Sequence, residues 1–490
     1  MSVGKNTGYN LVGAILPMIL GLISVPLYLK LIGPERYGIL SLAWLILGYF
    51  GVFDLGLGRA ATQRIAALRD ASPDERATAF GTALTCNILV GLIGAGIIWP
   101  IASLVFARSI AMSPALRAEA VASAPLLALA LPVATVMGVL SGALMGREKF
   151  LATNRTSVIS TTLFQLMPII VAWWVGPNLR VLLLASLAAR LVGLAMFWRH
   201  CCDEFGRHAW RRFDRRQMFE LLGFGGWVTV GGLFIPLLVM ADRFIIGSRL
   251  GAVAVTIYTV PTQITSRLSP IAGALCNALF PRFATASTVE ADRLTANGLM
   301  VLFAMLTPCV AFGLGIMAPA LHLWLGAEIG DPAGPIGRIM LLTAWLNVFG
   351  QVPFARIQAT GFPETVAKAN MAEVPFYLGL LWFLISIAGL EGAALAALVR
   401  VFFDTHLMQW LAARRLFNLR GVFGAGTLFA AEELVVRNWQ PGLLGSCGIG
   451  IGFACLAALL VAFLLPREFS SKALNFLRSA VQLRREAAHE

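Results

Sequence analysis

Apolar stretches long enough to cross a lipid bilayer recur from one end of this chain to the other. Residues 11–32, 88–107 and 443–466 are three of them, and a helix needs about 20 apolar residues to span the hydrocarbon core. Hydrophobic residues make up 58% and charged residues 13% of the chain, whereas soluble domains average about 45–50% and about 25%. The connections between the stretches are short and leave no room for a soluble domain. The sequence therefore predicts an all-α polytopic membrane protein.

Hydropathy predicts twelve helical spans before Arg415. They lie at residues 8–32, 38–58, 78–107, 121–145, 156–175, 181–198, 221–247, 253–280, 295–325, 338–358, 371–389 and 391–413. A further span at 443–466 is clear, whereas the segment at 421–436 is short and carries Glu432 and Glu433. If this segment crosses the membrane there are fourteen helices, and if it lies on the membrane surface there are thirteen. The basic C-terminal tail favours fourteen, because only then does the tail lie with the other basic segments.

Lysine and arginine are distributed unevenly between alternate loops. With a cytoplasmic N-terminus, the inside segments hold more than twice as many of these residues as the outside loops. Cytoplasmic loops retain positive charge, so we expect the N-terminus to lie in the cytoplasm. This topology explains most of the net charge of +13. Anionic membrane lipids are therefore sufficient partners for the basic residues, and no nucleic acid is needed to account for them.

An internal repeat relates the two halves of the chain. At an offset of 218 residues, Gly33 aligns with Gly251 and Arg64 aligns with Arg282, in each case next to equivalent spans. The basic segment 198–217 follows the sixth span. We therefore predict an N-terminal six-helix bundle, a basic cytoplasmic linker, a C-terminal six-helix bundle, and C-terminal helices with a basic tail, at 1–198, 199–220, 221–415 and 416–490. Because six is even, both bundles have the same orientation, as in transporters built from parallel repeats.

Several stretches of the chain resemble a known family. Residues 25–66 resemble the first two helices of the polysaccharide-transporter flippases, the O-antigen type of flippase within the multidrug/oligosaccharidyl-lipid/polysaccharide superfamily; they read VPLYLKLIGPERYGILSLAWLILGYFGVFDLGLGRAATQRIA. Residues 241–260 resemble the Asp-Arg-x-x-Ile-Gly segment of that family, and residues 279–284 its Phe-Pro-Arg helix exit. The resemblance covers about residues 8–415.

The resemblance implies a transport activity in the bacterial cytoplasmic (inner) membrane. The implied substrate is a polyprenyl-diphosphate-linked oligosaccharide, moved to the outer leaflet by alternating access. Its sugar would enter exopolysaccharide, O-antigen or a related polymer, and a polymerase or export machinery would be a further partner. The motifs do not indicate the identity of the sugar, the coupling ion or the oligomeric state.

A diphosphate held inside the membrane requires cations, and guanidinium groups match phosphate oxygens better than lysine does. Four arginines lie within predicted spans: Arg190, Arg267, Arg356 and Arg400. We predict that they bind substrate, with Arg267 and Arg400 ranked first. The alternative is that each arginine pairs with a carboxylate or a helix-end carbonyl of the chain itself.

Two aspartates complete the predicted substrate-binding set. Asp404 follows Arg400 by four residues, so on a helix the two side chains share a face and can pair. Asp54, in the segment FDLGLGR, could cap a helix break, pair with Arg59 or titrate in a cavity. Protonation of Asp404 would couple to substrate binding if the diphosphate competes with it for Arg400.

Prolines and glycines interrupt the first and seventh predicted spans, which are partners in the repeat. Pro17 and Pro26 lie in the first span, and Gly225, Gly226 and Pro236 lie in the seventh. Proline removes a helix hydrogen bond and bends the helix, so we expect these positions to act as hinges. Close helix packing is the alternative use of such residues in membranes.

Two other classes of function are alternatives to a flippase. A drug or cation antiporter of the same superfamily would favour acidic residues in its cavity, whereas intramembrane arginines outnumber carboxylates here. A membrane-embedded glycosyltransferase or polymerase needs a loop large enough to assemble acid and base groups over a sugar, and the outside loops are too short. The seven cysteines show no metal-ligand spacing. The sequence therefore predicts no enzymatic activity, no cofactor and no metal.

Overall fold

The structure is a computed structural model that describes residues 3–48, 57–68, 71–220, 240–413, 419–439 and 442–464. The described residues are almost entirely helical and include no β-strand. Residues 215–220 and 240–250 are helical as well. The principal helices are α1 Val3–Gly48, α2 Leu57–Ala67, α3 Pro73–Leu104, α4 Pro114–Gly146, α5 Phe150–Val175, α6 Leu179–Phe205, α7 Ala252–Thr265, α8 Ser269–Thr285, α9 Thr288–Leu325, α10 Ala327–Ala359, α11 Pro363–Ala413, α12 Leu419–Trp439 and α13 Leu443–Leu464.

Seven helices of the described residues are long and apolar enough to cross a membrane, which agrees with the predicted polytopic fold. They are Pro73–Ser109, Pro114–Gly146, Phe150–Val175, Leu179–Phe205, Thr288–Leu325, Glu364–Ala413 and Leu443–Leu464. Large apolar side chains such as Ile93, Trp174 and Phe463 are exposed on these helices. An exposed apolar surface of this kind suits contact with lipid.

Local sequence explains where several helices begin and turn. Pro73 occupies the first turn of α3, and Ser72 and Glu75 form a capping box before it. α1 continues through Pro17 and Pro26 and leaves helical angles at Gly33, whose φ is 78°. Because glycine has no Cβ, it adopts this left-handed angle without steric cost.

The turns of the repeat share a backbone conformation. Gly251, which aligns with Gly33, also has a positive φ, of 88°. Gly389, with a φ of 56°, divides α11 in the same way that Gly33 divides α1. α11 therefore contains two of the predicted spans, α1 contains one and the first part of the next, and the predicted boundaries lie beside these glycines.

One compact unit of the structure comprises Met1–Val260 and Asn370–Ala393. Part of its core contains Phe80 and Phe197, each 2% exposed. Phe80 stacks on Phe205 with 4.7 Å between the ring centroids. Aromatic packing of this kind joins α3 to α6, which carries one of the predicted arginines.

The second compact unit comprises Pro261–Ala369 and Ala394–Glu490. Its buried Trp345 packs edge-on against Phe349 and Phe429, each with ring centroids 5.1 Å apart. The indole Nε1 of Trp345 donates a hydrogen bond to Thr307 Oγ1, which satisfies the polar atom of this core side chain. The division into halves at 1–198 and 221–415 stays a prediction.

The segment at 421–436 lies within α12, a helix of 21 residues. A helix of that length extends about 31 Å, which matches the thickness of the hydrocarbon core. α12 contacts α9 and α13. Its length suits a total of fourteen helices, although its charged residues exclude it from the apolar spans above. The side on which the C-terminus lies stays a prediction.

Candidate functional site

Arg190 lies in a small recess of the first compact unit. It projects from α6, and α4 and α5 complete the walls of the recess. The residues that line it are Leu126, Leu127, Ala130, Phe164, Leu183, Ser186, Leu187 and Arg190. Apart from Ser186, the residues around the arginine are apolar, so the recess has a low local dielectric and strengthens electrostatic interactions within it.

The Arg190 guanidinium stacks over an aromatic ring. Its Cζ lies 4.6 Å from the centroid of Phe164, a geometry that contributes about 0.5–2 kcal/mol. No described carboxylate lies within ion-pair distance of Arg190. A stacked guanidinium still presents N–H donors in its plane. Arg190 can therefore bind an anion that the chain itself does not supply.

Aromatic residues of α1 hold this recess in place. Trp44 packs against Phe164 with 5.7 Å between ring centroids, and its Nε1 donates to Ser186 Oγ at 3.3 Å. Tyr28 packs edge-on against Trp44 and donates from its hydroxyl to the Gln165 carbonyl at 2.7 Å. Sequence reasoning missed Phe164, Ser186 and Trp44, because their proximity to Arg190 depends on how α1, α5 and α6 pack.

Arg267 lies where a helix is interrupted. It occupies the 3₁₀ turn Ser266–Leu268 between α7 and α8, and its side chain is exposed in the second compact unit. Pro270 lies in the first turn of α8, where its missing N–H is tolerated. A break in a helix leaves backbone N–H and C=O groups free to bind a ligand, and such breaks form binding sites in many transporters. The sequence predicted a mid-span arginine and did not predict this break.

Arg400 and Asp404 lie four residues apart on the last part of α11 and are both half-buried. Residues four apart on a helix lie on the same face, so the two side chains are neighbours on α11. Thr405 is buried next to them and donates to the Leu346 carbonyl at 3.1 Å, which fixes this part of α11 against α10. The two charged residues therefore lie on one helix, and their pairing and their role in substrate binding stay predictions.

Arg356 has a partner within its own unit. It is 5% exposed, and its Nη1 lies 2.7 Å from Asp292 Oδ1 and 3.3 Å from Thr295 Oγ1. This arrangement corresponds to the alternative given above, in which an arginine pairs with a carboxylate of the chain itself. The remaining site residue Asp54 lies outside the described residues, as do the hinge residues Gly225, Gly226 and Pro236.

The motif turns of the two predicted halves pack together within the first compact unit. We call Pro34, Gly38, Ala111, Ala252 and Thr256 the turn cluster. Thr256 Oγ1 donates to the Pro34 carbonyl at 2.6 Å, and the Ala252 amide donates to the Ala111 carbonyl at 3.1 Å. A Cβ on Gly38 would lie 2.0 Å from the Ala252 carbonyl oxygen. Only glycine allows this close approach of the backbones.

This arrangement of helices is a membrane transporter fold. It is similar to the inward-facing conformation of a multidrug resistance MATE family transporter of the MOP superfamily, with a TM-score of 0.69 and 16% identity over 85% of this chain and 98% of that one. It is also similar to the lipid II flippase MurJ in an inward closed conformation, with a TM-score of 0.72 and 11% identity over 91% of this chain and 97% of that one. At these identities the likeness concerns the fold alone.

Residues 3–287 match the model of the family described as "Polysaccharide biosynthesis protein", and the chain belongs to this family. It is 29% identical over 422 residues to a "Putative O-antigen transporter" of Shigella flexneri, covering 84% of this chain and 98% of that protein. It is 21% identical over 517 residues to the "Uncharacterized membrane protein EpsK" of Bacillus subtilis (strain 168), covering 98% and 99% respectively. The predicted resemblance is confirmed at the level of the family.

Proposed function

We propose that the chain is a flippase for a polyprenyl-diphosphate-linked oligosaccharide. It would move this lipid from the cytoplasmic to the outer leaflet of the bacterial inner membrane, for exopolysaccharide or O-antigen-type polymer synthesis. The family, the O-antigen transporter relative and the shared fold with a lipid II flippase all support the proposal. The observation that carries it is Arg190, a half-buried guanidinium without a described carboxylate partner.

The proposed role of Arg190 follows from the chemistry of its recess. A diphosphate carries several negative charges and accepts bidentate hydrogen bonds from guanidinium. The apolar walls lower the local dielectric, which strengthens the attraction, and the guanidinium lies over the Phe164 ring. Arg190 would thus bind the diphosphate while the lipid tail stays in the bilayer and the sugar stays in water.

Arg267 and Arg400 are proposed to contact the same class of anion at other stages of transport. Arg267 is exposed on an interrupted helix, and Arg400 is close to an acidic residue that the anion could displace. Arg356 is proposed to act mainly through its ion pair with Asp292. The N-terminus is proposed to lie in the cytoplasm, and a polysaccharide polymerase or export system would receive the product.

The test compares variants of one helix in cells that lack their own flippase. Arg190→Ala should abolish polymer export, and Arg190→Lys should retain part of it, because lysine keeps the charge but not the planar fork. Arg180→Ala is the matched control, since Arg180 is exposed on the same helix. Normal export by Arg190→Ala, at normal abundance in the membrane, would refute the proposed role of Arg190.

The second candidate function is a drug or cation antiporter, favoured by the similarity to MATE transporter structures. The two functions differ in what the cells lose. A deletion that blocks surface polymer without changing drug sensitivity supports the flippase, and the reverse pattern supports the antiporter.

A further inference from the structure

Glu432 is a fully buried acidic residue in the C-terminal helices. It lies on α12, in the second compact unit, and its exposure is 0%. No described side chain donates a hydrogen bond to either carboxyl oxygen, and the backbone amide of Gly315 is the neutral polar group that acts on it. Burial of a polar group without a partner is costly, and burial of a charged group without a partner costs far more.

Gly315 of α9 faces the Glu432 carboxyl and also lies against the backbone of α13. A Cβ on Gly315 of α9 would lie 3.0 Å from Glu432 Oε1 and 2.8 Å from the Cα of Gly450 on α13. No side chain larger than hydrogen fits at Gly315 without displacing the carboxyl or the facing backbone. The three helices therefore leave space for a carboxyl group and little space for water.

Among the described residues, the cation that acts on Glu432 already pairs with another carboxylate. The charged groups that act on it are Arg338 of α10 and Glu433 on its own helix. Nη1 of Arg338 lies 2.8 Å from each carboxylate oxygen of Glu433, so its charge is already compensated. α13 contains no Asp, Glu, Lys, Arg or His. On α9, the first charged or titratable residue after Gly315 is His322, and it pairs with Asp331.

We propose that Glu432 is a proton-binding site of the C-terminal helices. Its carboxyl holds a proton while α12 is packed against α9 and α13, because the neutral form is the one that this buried position tolerates when the nearby Arg338 is paired with Glu433. When the helices separate and water enters, the O–H bond breaks and the proton passes to water, leaving the carboxylate hydrated. The ligand of the site is a proton, and the inference does not depend on which substrate the chain moves.

Infrared spectroscopy of the purified full-length chain tests the proposal. A protonated carboxyl has a C=O stretch separate from those of carboxylates and amides. We expect this band at neutral pH in the native chain, a smaller band in Glu432→Gln, and an unchanged band in Glu328→Gln, whose carboxyl is exposed. Absence of the band from the native chain overturns the proposal, as does a band that Glu432→Gln leaves unchanged.

Thermal unfolding is the second readout. If the folded state holds a proton that the unfolded state releases, stability of the native chain falls as pH rises above the range in which an unfolded glutamate ionises. Glutamine imitates the neutral carboxyl and removes this linkage. We therefore expect Glu432→Gln to melt at a higher temperature than the native chain at alkaline pH, with a difference that narrows towards acid. Equal or lower melting temperatures at every pH would overturn the proposal.

Discussion

Replacing Gly38 by alanine should separate the turn cluster. The new Cβ would lie 2.0 Å from the Ala252 carbonyl oxygen and 3.0 Å from Thr256 Oγ1. The first distance is well inside van der Waals contact with a backbone atom, which a side-chain rotation cannot relieve. The turn at Gly38 must move away from Ala252, and the hydrogen bond from Thr256 to Pro34 is lost with it.

The expected size of the effect follows from these contacts. Overpacking of a close contact costs about 1–3 kcal/mol, and loss of a hydrogen bond costs about 0.5–1.5 kcal/mol. The two together disfavour the packed turn cluster by about 1.5–4.5 kcal/mol, or between about tenfold and about a thousandfold in population. The population of states in which the turns are apart rises by the same factor relative to the packed state.

Labelling from outside the cell measures this shift. Ser41 is buried near the turn cluster, so a Ser41→Cys probe in a background without native cysteines reports whether the turns have separated. Gly38→Ala should raise its reaction with a membrane-impermeant maleimide. Gly96→Ala is the control, because a Cβ there meets nothing within 4 Å. Unchanged labelling of the probe in Gly38→Ala at normal abundance would refute the reasoning.

Three further predictions concern charged residues. Asp292→Ala should destabilise the chain by up to about 3–5 kcal/mol, because it leaves the buried Arg356 without its carboxylate partner, and the partial exposure of Asp292 reduces this cost. Thermal unfolding of this variant, compared with Asp292→Asn, measures the loss of stability. The double change Arg400→Leu with Asp404→Leu removes both charges, so we expect full membrane abundance with transport lost; wild-type transport would mean that the charges serve only each other. Arg267→Ala should nearly abolish polymer export and Arg267→Lys should retain part of it, and normal export by Arg267→Ala would contradict its proposed contact with the diphosphate.

Local sequence features predicted much of the helical framework. Gly33 and Gly251 were aligned from sequence as equivalent turns, and both have positive φ. Such positions can be predicted because a left-handed backbone angle selects glycine wherever it occurs. Hydropathy likewise predicted the seven long apolar helices of the described residues, since a helix that crosses the lipid must be mostly apolar.

The partners of individual charges could not be predicted in the same way. Arg190 and Arg356 both occur in apolar runs, yet one stacks on Phe164 and the other pairs with Asp292. The difference depends on which neighbouring helix faces each arginine, and a single sequence contains no direct record of that packing. Burial of Glu432 depends in the same way on Gly315 of a neighbouring helix, which faces its carboxyl.

Flipping by the purified chain is the most direct test of the central claim. The chain is reconstituted into liposomes that carry a polyprenyl-diphosphate-linked oligosaccharide, and the lipid-linked sugar on the outer leaflet is measured with an enzyme that cannot cross the membrane. In liposomes with the native chain, the enzyme should reach nearly all of the lipid-linked sugar. In liposomes with Arg190→Ala, and in liposomes without protein, it should reach only the sugar that was on the outer leaflet from the start. If the native chain leaves the inner-leaflet lipid protected under every ion gradient applied, the chain is not a flippase for this class of lipid.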